Sequence, residues 1–110
     1  MLFVVIPAFN EEEALGRVIS GLFSHGFKNI IVVDDGSTDD TARIAKEAGV
    51  IVLKHEINRG QGAALQTGDE YALANNASLV VHFDADEQFN PTDIDMAVLA
   101  LEKNKADVVL

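Results

Sequence analysis

Apolar residues along this chain fall in short β-branched runs, separated by longer stretches in which they recur at helical spacing. Leu2-Phe3-Val4-Val5-Ile6, Ile30-Ile31-Val32-Val33, Val50-Ile51-Val52-Leu53 and Leu79-Val80-Val81-His82-Phe83 are runs of the first kind. A continuous apolar run, unlike an alternating one, suits a strand covered on both faces of a parallel sheet. Between the first two runs, Ala14, Leu15, Val18, Ile19, Leu22 and Phe23 share one helical face, and Gly26 ends that helix. Asn10, with Glu13 three residues on, reads as its N-terminal cap. Ser37 or Thr38 is expected to cap a short second helix reaching Ala48, with Gly49 as its stop. Residues 60–76 read as a third helix, with Ala63, Ala64, Leu65, Tyr71, Ala72 and Leu73 available for packing. Asn90-Pro91 opens a fourth, with proline at the first helical position, and would bury Ile94, Ala97, Val98 and Leu101. Asp107-Val108-Val109-Leu110 reads as a fifth strand that has only begun.

Strands alternating with helices predict βαβ units, and hence an α/β fold with a Rossmann-like, mainly parallel sheet and flanking helices. A length of 110 residues supports one small domain with a single core. A domain rarely stops on an apolar strand, so residues 1–110 are expected to be the front part of a larger domain, truncated at the C-terminal end. An exposed sheet edge left by such a truncation invites a homo-oligomer.

Charge and composition narrow the partners. The formal net charge is −10, which argues against a nucleic-acid surface, since that would carry a basic stripe. An anionic ligand could bind only locally, through a metal, backbone amides or a few Arg and Lys residues. There is no cysteine, so disulfides and thiolate metal sites are excluded. No segment approaches the roughly 20 apolar residues of a membrane span, and Met1–Ile6 lacks the charged start of a signal peptide. A cytoplasmic location is the default expectation, with any membrane association running through regions outside this chain.

Three polar clusters follow predicted strands: Pro7-Ala8-Phe9-Asn10-Glu11 the first, Asp34-Asp35-Gly36-Ser37 the second, and Asp84-Ala85-Asp86-Glu87-Gln88 the fourth. Ligands of parallel α/β sheets bind beyond the carboxyl ends of the strands, so these clusters should converge on one rim. Two carboxylates two residues apart, just past a buried strand, repel each other and are costly to bury. A hard divalent cation, Mg²⁺ or Mn²⁺, resolves both problems at Asp84 and Asp86, and such a cation commonly carries phosphate with it. Asp34 and Asp35 are acceptors for a base N–H or for ribose hydroxyls; a turn with one Asp as cap would account for only one of them. Asn58-Arg59-Gly60-Gln61-Gly62 leads into the third helix. Gly62 there permits close backbone approach, and Arg59 could meet a phosphate near the helix N-terminus. It is not a Walker loop, because the Gly-Lys-Ser/Thr ending is absent. Glu11 lies nearest the rim, whereas Glu12 and Glu13 most simply favour a helix dipole. His82 reads as a hydrogen-bonded core histidine, and His25 and His55 as surface or loop residues. No Ser/His/Asp triad can be assembled.

In this order, the clusters resemble the family-two glycosyltransferases of GT-A fold. The resemblance runs from Val4-Val5-Ile6-Pro7-Ala8-Phe9-Asn10-Glu11-Glu12 through Val33-Asp34-Asp35-Gly36-Ser37-Thr38-Asp39 and Asn58-Arg59-Gly60-Gln61-Gly62 to Asp84-Ala85-Asp86, essentially the whole chain. Asp84-Ala85-Asp86-Glu87-Gln88 looks most like the dolichyl-phosphate mannose/glucose synthase-like branch. Phe9 stands where that branch commonly has Tyr, and Gln61 where it commonly has Lys. The resemblance implies an inverting, metal-dependent glycosyltransferase with a UDP- or GDP-sugar donor and an acceptor such as a polyprenyl phosphate or a growing glycan. It also implies that residues 1–110 are the nucleotide-sugar-binding portion of a GT-A domain, working at the cytoplasmic face of a membrane if the acceptor is a lipid. By that resemblance Pro7, Phe9 and Glu11 line the nucleotide pocket, and Val33 and Asp35 hold base and ribose. Asp84, Asp86 and Gln88 ligate Mg²⁺ or Mn²⁺, Ala85 offers a backbone contact, and the general base lies outside this chain. The competing reading is a non-catalytic nucleotide-sugar-binding module.

Overall fold

The computed structural model describes residues 1–86 and the backbone of Val108–Val109. The helix expected from Asn90 and the candidate ligand Gln88 lie outside the described residues. The elements are β1 (Leu2–Ala8), α1 (Leu15–Ser24), β2 (Asn29–Asp35), α2 (Thr41–Glu47), β3 (Ile51–His55), α3 (Gln61–Ala74), β4 (Leu79–His82) and β5 (Val108–Val109). They form one parallel sheet in the order β3-β2-β1-β4-β5.

The continuous apolar runs are explained by burial on two faces. Val4, Ile6, Ala8, Ile30 and Val32 point to one side, where they pack with Leu15, Val18, Ile19 and Leu22 of α1 and Ala45 of α2. Phe3, Val5, Ile31 and Val33 point to the other, against Ala64 and Ala72 of α3. Successive strand residues face opposite sides of a sheet, so both parities must be apolar when helices cover both.

Small residues set how closely α3 approaches. Its buried positions Ala64, Gly68 and Ala72 recur every four residues. A Cβ built on Gly68 would lie 2.3 Å from Val5 Cγ1 and 3.2 Å from Val33 Cγ2. Leu73 and Phe23, both expected to pack, instead turn outward and are exposed. Each lies just past the edge of its helix's buried stripe.

Several element boundaries differ from expectation. β1 runs on through Pro7 and Ala8. Proline is tolerated in this central strand because of where its missing N–H would point. Val5 O accepts from Phe83 N on the β4 side, and by alternation residue 7 faces that side too, beyond the last β1–β4 pair, Val5 and His82. β3 likewise continues to His55.

Neither predicted helix cap is used. α1 starts at Leu15, without a side-chain cap. Asn10 has φ 51, a left-handed conformation that Asn tolerates, and its Oδ1 accepts from the Thr38 amide at 2.9 Å. Ser37 Oγ accepts from the Asn10 amide at 2.9 Å instead of capping α2, which starts at Thr41. Glu11 N donates to Thr41 Oγ1 at 2.9 Å, and Asp40 N to Glu12 Oε2 at 3.1 Å. The loops after β1 and β2 therefore satisfy each other. Adjacent parallel strands bring those loops side by side, and cross-loop partners replace the local caps.

Candidate functional site

Sheet order reverses at β1, with β2 and β3 on one side and β4 and β5 on the other. Such a switch point opens a crevice at the carboxyl rim. A cavity of about 450 Å³ occupies it. That volume falls within the rough 300–1,000 Å³ range of small-molecule sites. Its walls are Pro7 and Ala8 at the end of β1, Phe9 and Glu11 after it, Asp35 of β2, Asn58 and Gly60 before α3, Gln61 and Ala64 in its first turn, and Asp84, Ala85 and Asp86 after β4. Of the candidate residues, the cavity thus brings together Pro7, Phe9, Glu11, Asp35, Asp84, Ala85 and Asp86. Val33, Asp34, Arg59 and Gly62 do not line it: Val33 is buried against α3, and Arg59 and Gly62 are exposed outside the lining.

Alternation along β2 splits the Asp34–Asp35 pair. Asp34 is fully buried on the α1 side, where its Oδ1 accepts from the Ser37 amide at 3.1 Å and closes the turn. Its Oδ2 is buried without a hydrogen-bond partner among the described residues. Asp35 faces α3 and the cavity. Its Oδ1 accepts from the Arg59 amide at 2.9 Å and meets His55 Nδ1 at 2.8 Å, while its Oδ2 accepts from the Gly60 amide at 2.8 Å. Gly60 is the N-cap of α3 and offers no side-chain cap, so a carboxylate from β2 sits at that helix N-terminus instead. Burial pushes the Asp35 carboxyl up. Hydrogen bonds from His55 and from the Arg59 and Gly60 amides, with the His55 charge, outweigh it and leave the pKa below the usual carboxylate value. Gly36 makes the approach possible: with φ 78, its Cβ position lies 2.5 Å from Asn58 N, so any side chain there would displace the loop.

His55 was expected on the surface and is instead buried, with Nε2 2.8 Å from Thr67 Oγ1. Reading the third strand two residues further would have found it. Period-two alternation then places residue 55 on the face of Ile51 and Leu53, and the register pairs it with Asp35. His82 is the hydrogen-bonded, mostly buried histidine that its strand position implies, with Nε2 2.7 Å from Asp69 Oδ1. His25 is exposed.

The cavity is anionic. Glu11, Asp35, Asp84 and Asp86 line it, and no Lys or Arg does among the described residues. Burial first, then the facing charges of Asp86 and Asp39, push the Glu11 carboxyl above its usual range. Ala85 is buried between Asp84 and Asp86, which are exposed, so the backbone is anchored while both carboxylates reach outward. Among the described residues no three His, Cys, Asp or Glu side chains are grouped to hold a metal. The exposed carboxylates of Asp84 and Asp86, the second facing Glu11, are nonetheless hard oxygen donors of the kind that suits Mg²⁺ or Mn²⁺, which commonly takes one or two carboxylates and completes its shell with water and phosphate.

The sequence pattern of glycosyl transferase family 2 matches residues 3–110. The chain belongs to this family. An uncharacterised protein of Methanocaldococcus jannaschii is 50% identical over 97 residues, covering 88% of this chain and 40% of that protein. The UDP-N-acetylglucosamine–dolichyl-phosphate N-acetylglucosaminyltransferase of Methanococcus voltae is 35% identical, covering 100% of this chain and 51% of that protein. Among solved structures, Mycobacterium tuberculosis glucosyl-3-phosphoglycerate synthase, crystallised with Mn²⁺, UDP and glucosyl-3-phosphoglycerate, superposes with a TM-score of 0.75 at 30% identity. That match covers 92% of this chain and 39% of the synthase. This family 2 chain spans about half the length, or less, of the curated relatives it matches. No helix among its described residues is long and apolar enough to cross a membrane.

Proposed function

We propose that residues 1–110 form the donor-binding part of an inverting, metal-dependent family 2 glycosyltransferase using a UDP- or GDP-sugar. The observation that carries this reading is the convergence of Pro7–Glu11, Asp35 and Asp84–Asp86 on one cavity at the switch point of the sheet. The names of the relatives support it: one transfers N-acetylglucosamine from a UDP-sugar to dolichyl phosphate, and the solved synthase binds UDP and Mn²⁺.

Phe9, half exposed at the cavity mouth, offers a flat apolar face to a nucleobase. Asp35 offers an acceptor to a base N–H or a ribose hydroxyl. Asp84 and Asp86, with Gln88 beyond the described residues, would hold the metal beside the diphosphate. A divalent ion held there would supply positive charge to offset the leaving nucleoside diphosphate; the bond that breaks is the one from sugar C1 to phosphate oxygen. The acceptor oxygen forms its bond to C1 from the opposite face, which inverts the centre. A hydroxyl acceptor needs a general base to take its proton, and an ionised lipid phosphate does not. That base and the acceptor surface belong to regions outside the described residues. With a lipid acceptor, transfer takes place at the cytoplasmic face of the membrane.

The competing reading is a nucleotide-sugar-binding module that transfers nothing. Calorimetric titration with UDP and with GDP, each with and without Mn²⁺, tests the donor site. Mn²⁺-dependent binding of one nucleotide, lost in Asp86→Asn, is the expected result; Mn²⁺-dependent binding that survives the substitution would remove Asp86 from the site. Transfer assays on a chain extended to the full length of its relatives separate the enzyme from the module.

A further inference from the structure

Beneath the cavity, one side chain ties the Asp35 carboxylate to the body of α3. His55 is buried, with Nδ1 2.8 Å from Asp35 Oδ1 and Nε2 2.8 Å from Thr67 Oγ1. Thr67 sits in the second turn of α3, where its hydroxyl also lies 3.0 Å from the Ala63 carbonyl. An ionised carboxylate only accepts, so the imidazole Nδ1 must carry the hydrogen in this pair.

The acceptor inventory of Asp35 is then nearly filled. A carboxylate has roughly four lone-pair sites. His55 and the Arg59 amide occupy Oδ1, and the Gly60 amide occupies one site of Oδ2. One acceptor site on Oδ2 remains, on a residue that lines the cavity. His55 itself is not part of the lining, so its influence on a ligand runs through Asp35.

We propose that His55, backed by Thr67, is a positioning residue for the donor: it fixes the Asp35 carboxylate so that a single Oδ2 acceptor meets one N–H or O–H of the bound nucleotide. The inference rests on the donor-site reading. Both Asp35 oxygens are held by the backbone of the 58–60 loop on one side, and the ring supplies the only side-chain donor to this carboxylate among the described residues. Without it, Oδ1 gains a free acceptor site and the carboxylate can present either oxygen to the ligand. A ring that merely filled space would be replaceable by any apolar group of similar size. A positioning ring is replaceable only by a side chain that keeps a donor where Nδ1 stands, and the amide of asparagine does so.

The test uses the full 110-residue chain, titrated calorimetrically with UDP and with GDP in Mn²⁺, as the unsubstituted protein and as His55→Leu, His55→Asn and Thr67→Val. A lost hydrogen bond to a charged group corresponds to roughly tenfold or more in affinity. His55→Leu is therefore expected to weaken the preferred nucleotide by about tenfold or more, and His55→Asn to restore most of it. Thr67→Val, nearly equal in volume, should fall between the two. Without ligand, the Arg59 and Gly60 amide resonances should move in His55→Leu and stay close to the parent in His55→Asn. Unchanged affinity in His55→Leu, or in Thr67→Val if the leucine variant does not fold, overturns the proposal and leaves the donor site standing. Failure of the unsubstituted chain to bind either nucleotide overturns the donor-site reading, and this inference with it.

Discussion

Asp34 and Asp35 are chemically identical neighbours with unrelated roles. Strand alternation sends Asp34 into the turn beside Ser37 and Asp35 to the cavity, where His55 and two amides hold it. The depressed pKa of Asp35 has a direct stability consequence. Its folded value lies below the ordinary 3.8, so its contribution is fully present above pH 3.8 and is lost as pH falls through the lower folded value. Asp35→Asn is expected to cost about 2 kcal/mol at pH 7, since it weakens hydrogen bonds to a buried charge. Urea titrations from pH 7 downward should show the gap between parent and variant closing only below pH 3.8; a gap independent of pH would contradict the charge-based account. Gly36→Ala is a second test at this scale. A Cβ 2.5 Å from Asn58 N, on a residue with φ 78, must push the 57–58 loop away. The expected effect is a loss of about 1–3 kcal/mol with weaker nucleotide binding, read by urea titration and calorimetry.

At the scale of elements, α3 does two jobs. Its Ala64, Gly68 and Ala72 stripe lets it lie close on β1 and β2, and its N-terminus reaches the cavity at Gly60 and Gln61. Packing depth and site geometry are therefore coupled. Gly68→Ala would put a methyl group 2.3 Å from Val5 Cγ1. Helix propensity favours alanine by about 1 kcal/mol, whereas overpacking costs about 1–3 kcal/mol. Because β1 is a central strand with no free side to move toward, overpacking should win. A lower thermal midpoint is the predicted result; a raised one would show that α3 lifts off without strain. The β1 and β2 loops form a second coupled unit through Asn10, Ser37, Thr38 and Thr41. Local pattern reading predicted caps within each loop, and the actual partners come from the neighbouring loop.

For the molecule as a whole, the anionic character of the rim governs what can bind. Four carboxylates, with no lining Lys or Arg among the described residues, and a Glu11 carboxyl pushed upward by burial and by Asp86, would repel a diphosphate that came without a divalent ion. Nucleotide and metal should then stabilise the fold together. At a nucleotide concentration of about 100 times Kd with Mn²⁺, linkage predicts about 2.7 kcal/mol of added stability, visible as a higher thermal midpoint. Neither Mn²⁺ alone nor nucleotide with a chelator should reproduce it. Full stabilisation by nucleotide in the presence of the chelator would argue against a metal-bridged donor.

Much of the architecture was legible in the chain. Continuous apolar runs at Leu2–Ile6 and Ile30–Val33 report two covered faces, because burial of both parities leaves no polar position free. Their alternation with helical stretches implies a parallel sheet, and the polar clusters that close the runs imply a rim. These are local consequences of period and polarity, so one sequence suffices to see them. Tertiary structure alone decided which side chain of each cluster turns to the cavity. It paired Asp35 with His55 across strands, gave Asn10 to Thr38 rather than to a helix, and made Gly36 and Gly68 points of close approach. Hydrogen bonds in this rim join residues up to 30 positions apart, and no local periodicity carries the distance between them.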